Sequence, residues 1–295
     1  VSDNHFHHNK ENALDIKEAN NIVVTGNHFH NFAGSASASG EGIVVHNKAK
    51  HVLIGLNRVH DCATGIGNSN VDQLLIVGNL LYDMVSYGTQ SGGYPSGGVG
   101  IASWSDSAVD VQQVKMYNNT LMRCERFITI PEGVDNEVKN NIMFNRTYAD
   151  GFDLYIASTA QDSTKVENNL SYSNNGSVSR SFNSTIHTDL NTMPNASGNI
   201  ATDPLLTLTE GISLGRINTG SGCIDNGADI SAELNAFFAL LGTPAITADL
   251  YGYDRLQGGF FDIGCNEYGG VFIPAVPTSP ENVLVNASGD TLEWS

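Results

Sequence analysis

Apolar and polar positions alternate along this chain in short runs, and the runs recur. Ala13-Leu14-Asp15-Ile16-Lys17 alternates strictly, so Leu14 and Ile16 share one face of a strand and Asp15 and Lys17 the other. A polar corner at 18–21 follows, then a second strand at 22–26. Asn27 marks a tight bend, since Asn tolerates the left-handed backbone that such a bend requires. His28-Phe29-His30-Asn31-Phe32 reads as a third short strand. After a Gly/Ser/Ala-rich stretch at 33–41, Gly42-Ile43-Val44-Val45-His46 opens the next copy.

The aliphatic phrase ending in Asn returns at Asn27, Asn57, Asn79, Asn119, Asn141 and Asn169, with a partial copy ending at Asn4. The successive spacings are 23, 30, 22, 40, 22 and 28. A period near 22 with insertions, no helical heptads and one fixed Asn predicts an all-β solenoid of three-strand coils. Each strand pairs in parallel with its copy one turn later, and the Asn side chains form a ladder at the second bend. The long insertions, 33–41 and 84–98, fall at one corner, after the third strand.

These coils resemble the right-handed parallel β-helix of the pectate-lyase-like superfamily over about residues 1–200. The resemblance implies a groove whose floor is the first strand of each coil. Stacking the first strands gives one outward column of Asp15, Val44, Gly67, Ala102, Thr129 and Asp153. The other is Lys17, His46, Ser69, Trp104, Pro131 and Tyr155. A basic group followed by aromatic platforms suits a polysaccharide lying along the axis. Trp104, Tyr155, Asp15 and Arg126 are the candidate substrate contacts, and Lys17 and His46 the candidate catalytic pair.

Two segments carry a closer resemblance. Asn12-Ala13-Leu14-Asp15-Ile16-Lys17 resembles the segment of family 9 polysaccharide lyases that bears their lysine base, with Asn12 where that family has Asp. Asp150-Gly151-Phe152-Asp153-Leu154-Tyr155 resembles their calcium-binding segment, and the two lie several coils apart here. The resemblance implies Lys17 as base and a Ca²⁺ held by Asp150 and Asp153; Glu11 and Glu41 are further candidate metal carboxylates. Eliminative cleavage of a uronate chain needs a cation on the carboxylate, a base at C5 and proton donation to the leaving oxygen. A β-helical glycoside hydrolase would instead need two facing carboxylates, for which Asp15 and Glu41 are the candidates. A non-catalytic, adhesin-like carbohydrate-binding solenoid is the third reading.

Eight of the nine histidines precede residue 61. His7, His30 and His60 form one outward column of the third strands, and His5 and His28 a second. A metal site and a packed polar ladder are both open there.

A net charge of −17 over 295 residues argues against nucleic acid as partner. The longest apolar runs fall short of the 18 residues a bilayer span needs, so no membrane insertion is expected. A monomer, secreted or displayed at a bacterial cell surface, is expected. None of the four cysteines lies in a CxxC pair; a Cys223–Cys265 disulfide and four buried thiols are the alternatives.

Residues 201–270 lack the period and read as a C-terminal cap of the β-helix, with a helix over 230–241. Residues 271–280 read as a linker and 281–295 as the start of a truncated fibronectin-III-like module. Because residue 1 already lies inside a repeat, further domains are expected at both ends of a longer protein.

Overall fold

The computed structural model describes residues 1–34, 40–86, 97–104, 113–157, 163–174, 180–182, 184–255 and 260–272. The fibronectin-like segment 281–295 and the linker beyond residue 272 lie outside them. As far as Arg180–Phe182, strands visit three sheets in strict rotation, so sheet neighbours there come from adjacent coils. One sheet runs from His5–Asn9 to Leu170–Tyr172, a second from Leu14–Lys17 to Thr185–His187, and a third from Asn20–Thr25 to Ala196–Ser197. All pairings are parallel except Arg180–Phe182 with Thr185–His187, a closing hairpin.

Parallel pairing in register turns the alternation of each strand into vertical apolar columns. Val24, Ile54, Ile76, Met116, Val138 and Val166 follow one another through the third sheet and are fully buried. Each such side chain contributes about 1.5–3 kcal/mol by leaving water. Leu190 and Met193, just after the hairpin, close the end of this core.

The ladder at the bend is continuous from Asn4 through Asn27, Asn57, Asn79, Asn119, Asn141 and Asn169 to Asn199. Each buried Oδ1 accepts from the backbone N–H and Nδ2 of the preceding rung, as Asn79 does from Asn57 at 2.9 and 3.0 Å. Each Nδ2 donates to main-chain carbonyls, so the amide is satisfied on both sides. Asn199 is a rung that the repeat count stopped short of, although Gly198-Asn199-Ile200 carries the same phrase.

The described residues of the segment 201–272, expected as a cap of the β-helix, run back along the outside of the barrel. Leu206, Leu214, Ile217, Cys223, Ile263 and Cys265 pack on Leu80, Tyr82, Met122, Ile142, Phe144 and Leu170, the outer face of the first sheet. Helix α1 (Ser231–Leu241) lays Leu234, Phe237 and Phe238 on Leu53, Leu75, Val77 and Tyr117 of the third sheet. It stops at Gly242, whose φ of 67° supplies the left-handed C-terminal turn. Apolar outward residues on those two sheets explain the arrangement, because exposed they would form a large sticky patch. Neither cluster includes a residue of the second sheet. All four cysteines are buried free thiols, so the Cys223–Cys265 disulfide is not formed.

Candidate functional site

The second sheet is the face that the C-terminal segment leaves free, and its register orders the candidate residues. Leu14, Asp15, Ile16 and Lys17 pair with Ile43, Val44, Val45 and His46. Val44 leads on to Gly67, Ala102 and Thr129, as the sequence predicts. In the sequence, long stretches also follow the second-sheet strands Val99–Ser103 and Leu154–Ile156, so the insertions are not confined to one corner.

At the first two coils, Asp15 joins the catalytic candidates. Its Oδ2 lies 2.7 Å from Lys17 Nζ and its Oδ1 2.7 Å from His46 Nε2. Partial burial pushes the Asp15 carboxyl up, but hydrogen bonds from Lys17 and His46 outweigh it and hold the group below the usual carboxylate range. Lys17 is half exposed and His46 about a quarter exposed, at 51% and 24%.

Farther along, the backbone N–H of Trp104 donates to the Asn68 carbonyl at 2.8 Å, and its ring lies on Gly67. A Cβ at Gly67 would stand 2.0 Å from the ring edge, so the missing side chain is what admits the indole. Arg126 sits at the margin, donating to the Gly97 carbonyl and lying over the Tyr148 ring.

The sixth strand departs from the predicted alignment by two residues. Tyr155 pairs with Thr129, not Pro131, and so belongs to the Asp15 column. Asp153 is not on the groove. It points into the barrel, where its Oδ1 accepts from Arg146 Nε at 2.9 Å and its Oδ2 from Ser171 at 2.9 Å. A buried carboxylate needs such partners, and the guanidiniums of Arg146 and Arg180 stand on its two oxygens in the interior.

The expected calcium ligands therefore do not assemble. Asp153 is occupied by Arg146, and Glu41 is 3% exposed. Glu11 precedes the first strand of the sheet and Asp150 the sixth, more than about 20 Å apart at one coil per ~4.8 Å.

The histidine columns stand where the alternation puts them, on the outer face of the first sheet toward its N-terminal end. His5 pairs with His28, and His7 with His30 and then His60. The rings stack, with centroids 4.7 Å apart for His5 and His28 and 4.9 Å for His30 and His60. Burial, with neighbouring rings, lowers His28 to about 4 and holds His7 and His60 below the usual imidazole value.

Sequence reasoning missed the residues that orient these rings. Asn31 and Asp61 adopt left-handed φ of 61° and 51°, which turns their side chains back beside His30 and His60. The repeated pairs His30-Asn31 and His60-Asp61 are the signal that was there to read.

A family model agrees with the coiled architecture of the first part of the chain. The Beta_helix family, described as a right handed beta helix region, matches residues 1–93. A solved structure titled "Crystal structure of pectate lyase Pel9A" is similar at 16% sequence identity and a TM-score of 0.48, over 89% of this chain and 64% of that one. The chain thus spans under two thirds of that protein's length. No curated protein matches the sequence. Among the described residues no helix is long and apolar enough to cross a membrane.

Proposed function

We propose that this right-handed parallel β-helix is an extracellular protein that holds an acidic, uronate-containing polysaccharide along its second sheet and cleaves it by β-elimination. The observation that carries this reading is the cluster of Lys17, Asp15 and His46 on the sheet face that the C-terminal segment leaves free. The chain axis of the glycan lies across the coils, with Trp104 and Tyr155 farther along the same face and Arg126 at its margin.

Lys17 takes the proton from C5. The C5–H pair becomes the C4–C5 double bond, the C4–O4 bond breaks, and the departing oxygen is protonated by His46 or water. An ammonium bound to Asp15 is no base, so Lys17 must first leave its ion pair and give its extra proton to solvent before it can take the one at C5. A second assignment exchanges the two roles. His46 donates Nε2–H to Asp15, which leaves the Nδ1 lone pair for the C5 proton while Lys17 neutralises the uronate. No step runs through calcium, since the carboxylates named for it do not converge.

The test is an assay on pectate, alginate and glycosaminoglycans, read by the ultraviolet absorbance of the new conjugated double bond. Lys17→Ala is expected to abolish activity without lowering Tm. Reducing ends released without that absorbance, or an active Lys17→Ala variant, would sink the proposal. Binding without cleavage would instead favour the carbohydrate-binding solenoid, a reading supported by the existing Lys17–Asp15 pair and the seating of Trp104 on the floor.

A further inference from the structure

We propose that His5, His28 and His30 form a binding site for one divalent cation of the zinc class, clamping the first coil to the second. One ring nitrogen from each of the three lies within 4.8 Å of the others. Among the described residues this is the only group of three or more metal-ligating side chains that converges so closely. His5 comes from the first coil, and His28 and His30 from the second, so an ion held by them would bridge residues 23 and 25 positions apart in the chain.

The ring orientations suit a metal. His30 places Nδ1 against Asn31 Oδ1, an acceptor, so the neutral ring carries its proton there and keeps the Nε2 lone pair outward. Such a hydrogen bond to the second nitrogen is what fixes tautomer and direction in ligating histidines. The same device recurs one coil later, where His60 Nδ1 lies 2.6 Å from Asp61 Oδ2. The Nε2 atoms of His5 and His30 stand 2.6 Å apart, a contact made without metal by a proton on His5. A tetrahedral ion with Zn–N of about 2.05 Å needs about 3.3 Å between donor atoms. That gap opens by less than an ångström, and the His28 ring, whose Nε2 lies 2.7 Å from His60 Nε2 without metal, turns from His60 toward the other two.

Ligand chemistry sets the ion class. Three imidazoles and no convergent carboxylate favour Zn²⁺, Co²⁺, Ni²⁺ or Cu²⁺ over Ca²⁺ or Mg²⁺. Three protein ligands leave a fourth position to water or an exogenous group. The site stands on the first sheet, away from the groove, and so does not depend on the reading of Lys17 and His46.

The protein is stripped with chelator, exchanged into chelator-free buffer and titrated with Co²⁺, then Zn²⁺, then Ca²⁺. The expected result is one equivalent of Co²⁺ with visible ligand-field bands, displaced by Zn²⁺ and not by Ca²⁺. Zn²⁺ is expected to raise Tm, and chelator to reverse the rise. His28→Asn and His30→Asn each weaken binding by at least about tenfold. His51→Asn, whose ring bonds Asn21 outside the cluster, leaves it unchanged. Absence of ligand-field bands overturns the proposal. So does full-strength binding in either single variant, or in the double variant where its circular dichroism stays native.

Discussion

His46 Nε2 lies 2.7 Å from Asp15 Oδ1, across the step from the second coil to the first. The same carboxylate holds Lys17, so one aspartate orients both groups that the proposed elimination needs. Asp15→Asn keeps the shape and removes the charge. Activity is expected to fall by on the order of 10²-fold or more, and the pH–rate profile to shift because the acid and base lose their common partner. Stability should hardly move, since ion pairs this exposed contribute about 0–1 kcal/mol. A large Tm loss with unchanged specific activity would assign Asp15 a structural role instead.

Gly67 and Trp104 are a second coupled pair. The indole occupies the space that any side chain at 67 would fill. Gly67→Ala should therefore lift Trp104 off the floor into solvent. In a Trp294→Phe background the expected outcome is a red-shifted emission spectrum and weaker retention on an acidic-glycan matrix. Unchanged emission would mean that the ring does not lie against Gly67.

Much of this was legible in the chain, and the boundary of legibility has physical causes. The Asn rungs and the first five groove strands could be read because a strict period of two fixes which face each residue takes. The sixth strand slipped by two because Asp153 was aligned as an outward residue. Its partners are Arg146, in the connection before the same strand, and Arg180, on the next strand of the sheet, and only the folded barrel shows that they meet Asp153 in the interior. The placement of residues 201–272 was missed for a related reason. Its Asp- and Gly-rich turns speak of local geometry, whereas what it covers is set by outward Leu53, Leu75, Tyr82 and Tyr117, which read as ordinary strand residues. The triad was half legible. Stacking gave Lys17 beside His46, and the hydrogen bonds through Asp15 came from the structure.

Asp153 sets the interior charge balance of the later coils. It and Arg146 are about 2% and 1% exposed, and Arg180 lies on the other carboxylate oxygen at 4.0 Å. Removing one member of a buried pair leaves an uncompensated charge. Asp153→Ala is expected to destabilise the protein by about 3–5 kcal/mol in urea unfolding. The loss should be the same with Ca²⁺ or chelator present. A variant of near-native stability whose Ca²⁺ affinity has dropped would restore the metal-ligand role implied by the sequence resemblance.

The attachment of helix α1 to the third sheet gives a pH dependence with a defined sign. Glu137 accepts from Tyr117 Oη at 2.6 Å and pairs with Lys139 at 2.8 Å, and Lys139 reaches Glu233 of the helix at 3.2 Å. Burial pushes the Glu137 carboxyl up, but hydrogen bonds from Lys139 and Tyr117 prevail and lower it from 4.5 to about 2. A depressed acid contributes stability that is fully present above its unfolded value and lost as pH falls through the folded one. The contribution, about 3 kcal/mol at neutral pH, should thus disappear between pH ~4.5 and ~2. Glu137→Gln removes the titrating group and leaves Lys139 with Glu233 and Glu167. The variant is expected to be less stable than the parent at neutral pH and to converge on it near pH 2. Chemical denaturation at a series of pH values reads both curves. Parallel curves across that interval would show that Glu137 carries no linked proton and that the helix is held by its apolar face alone.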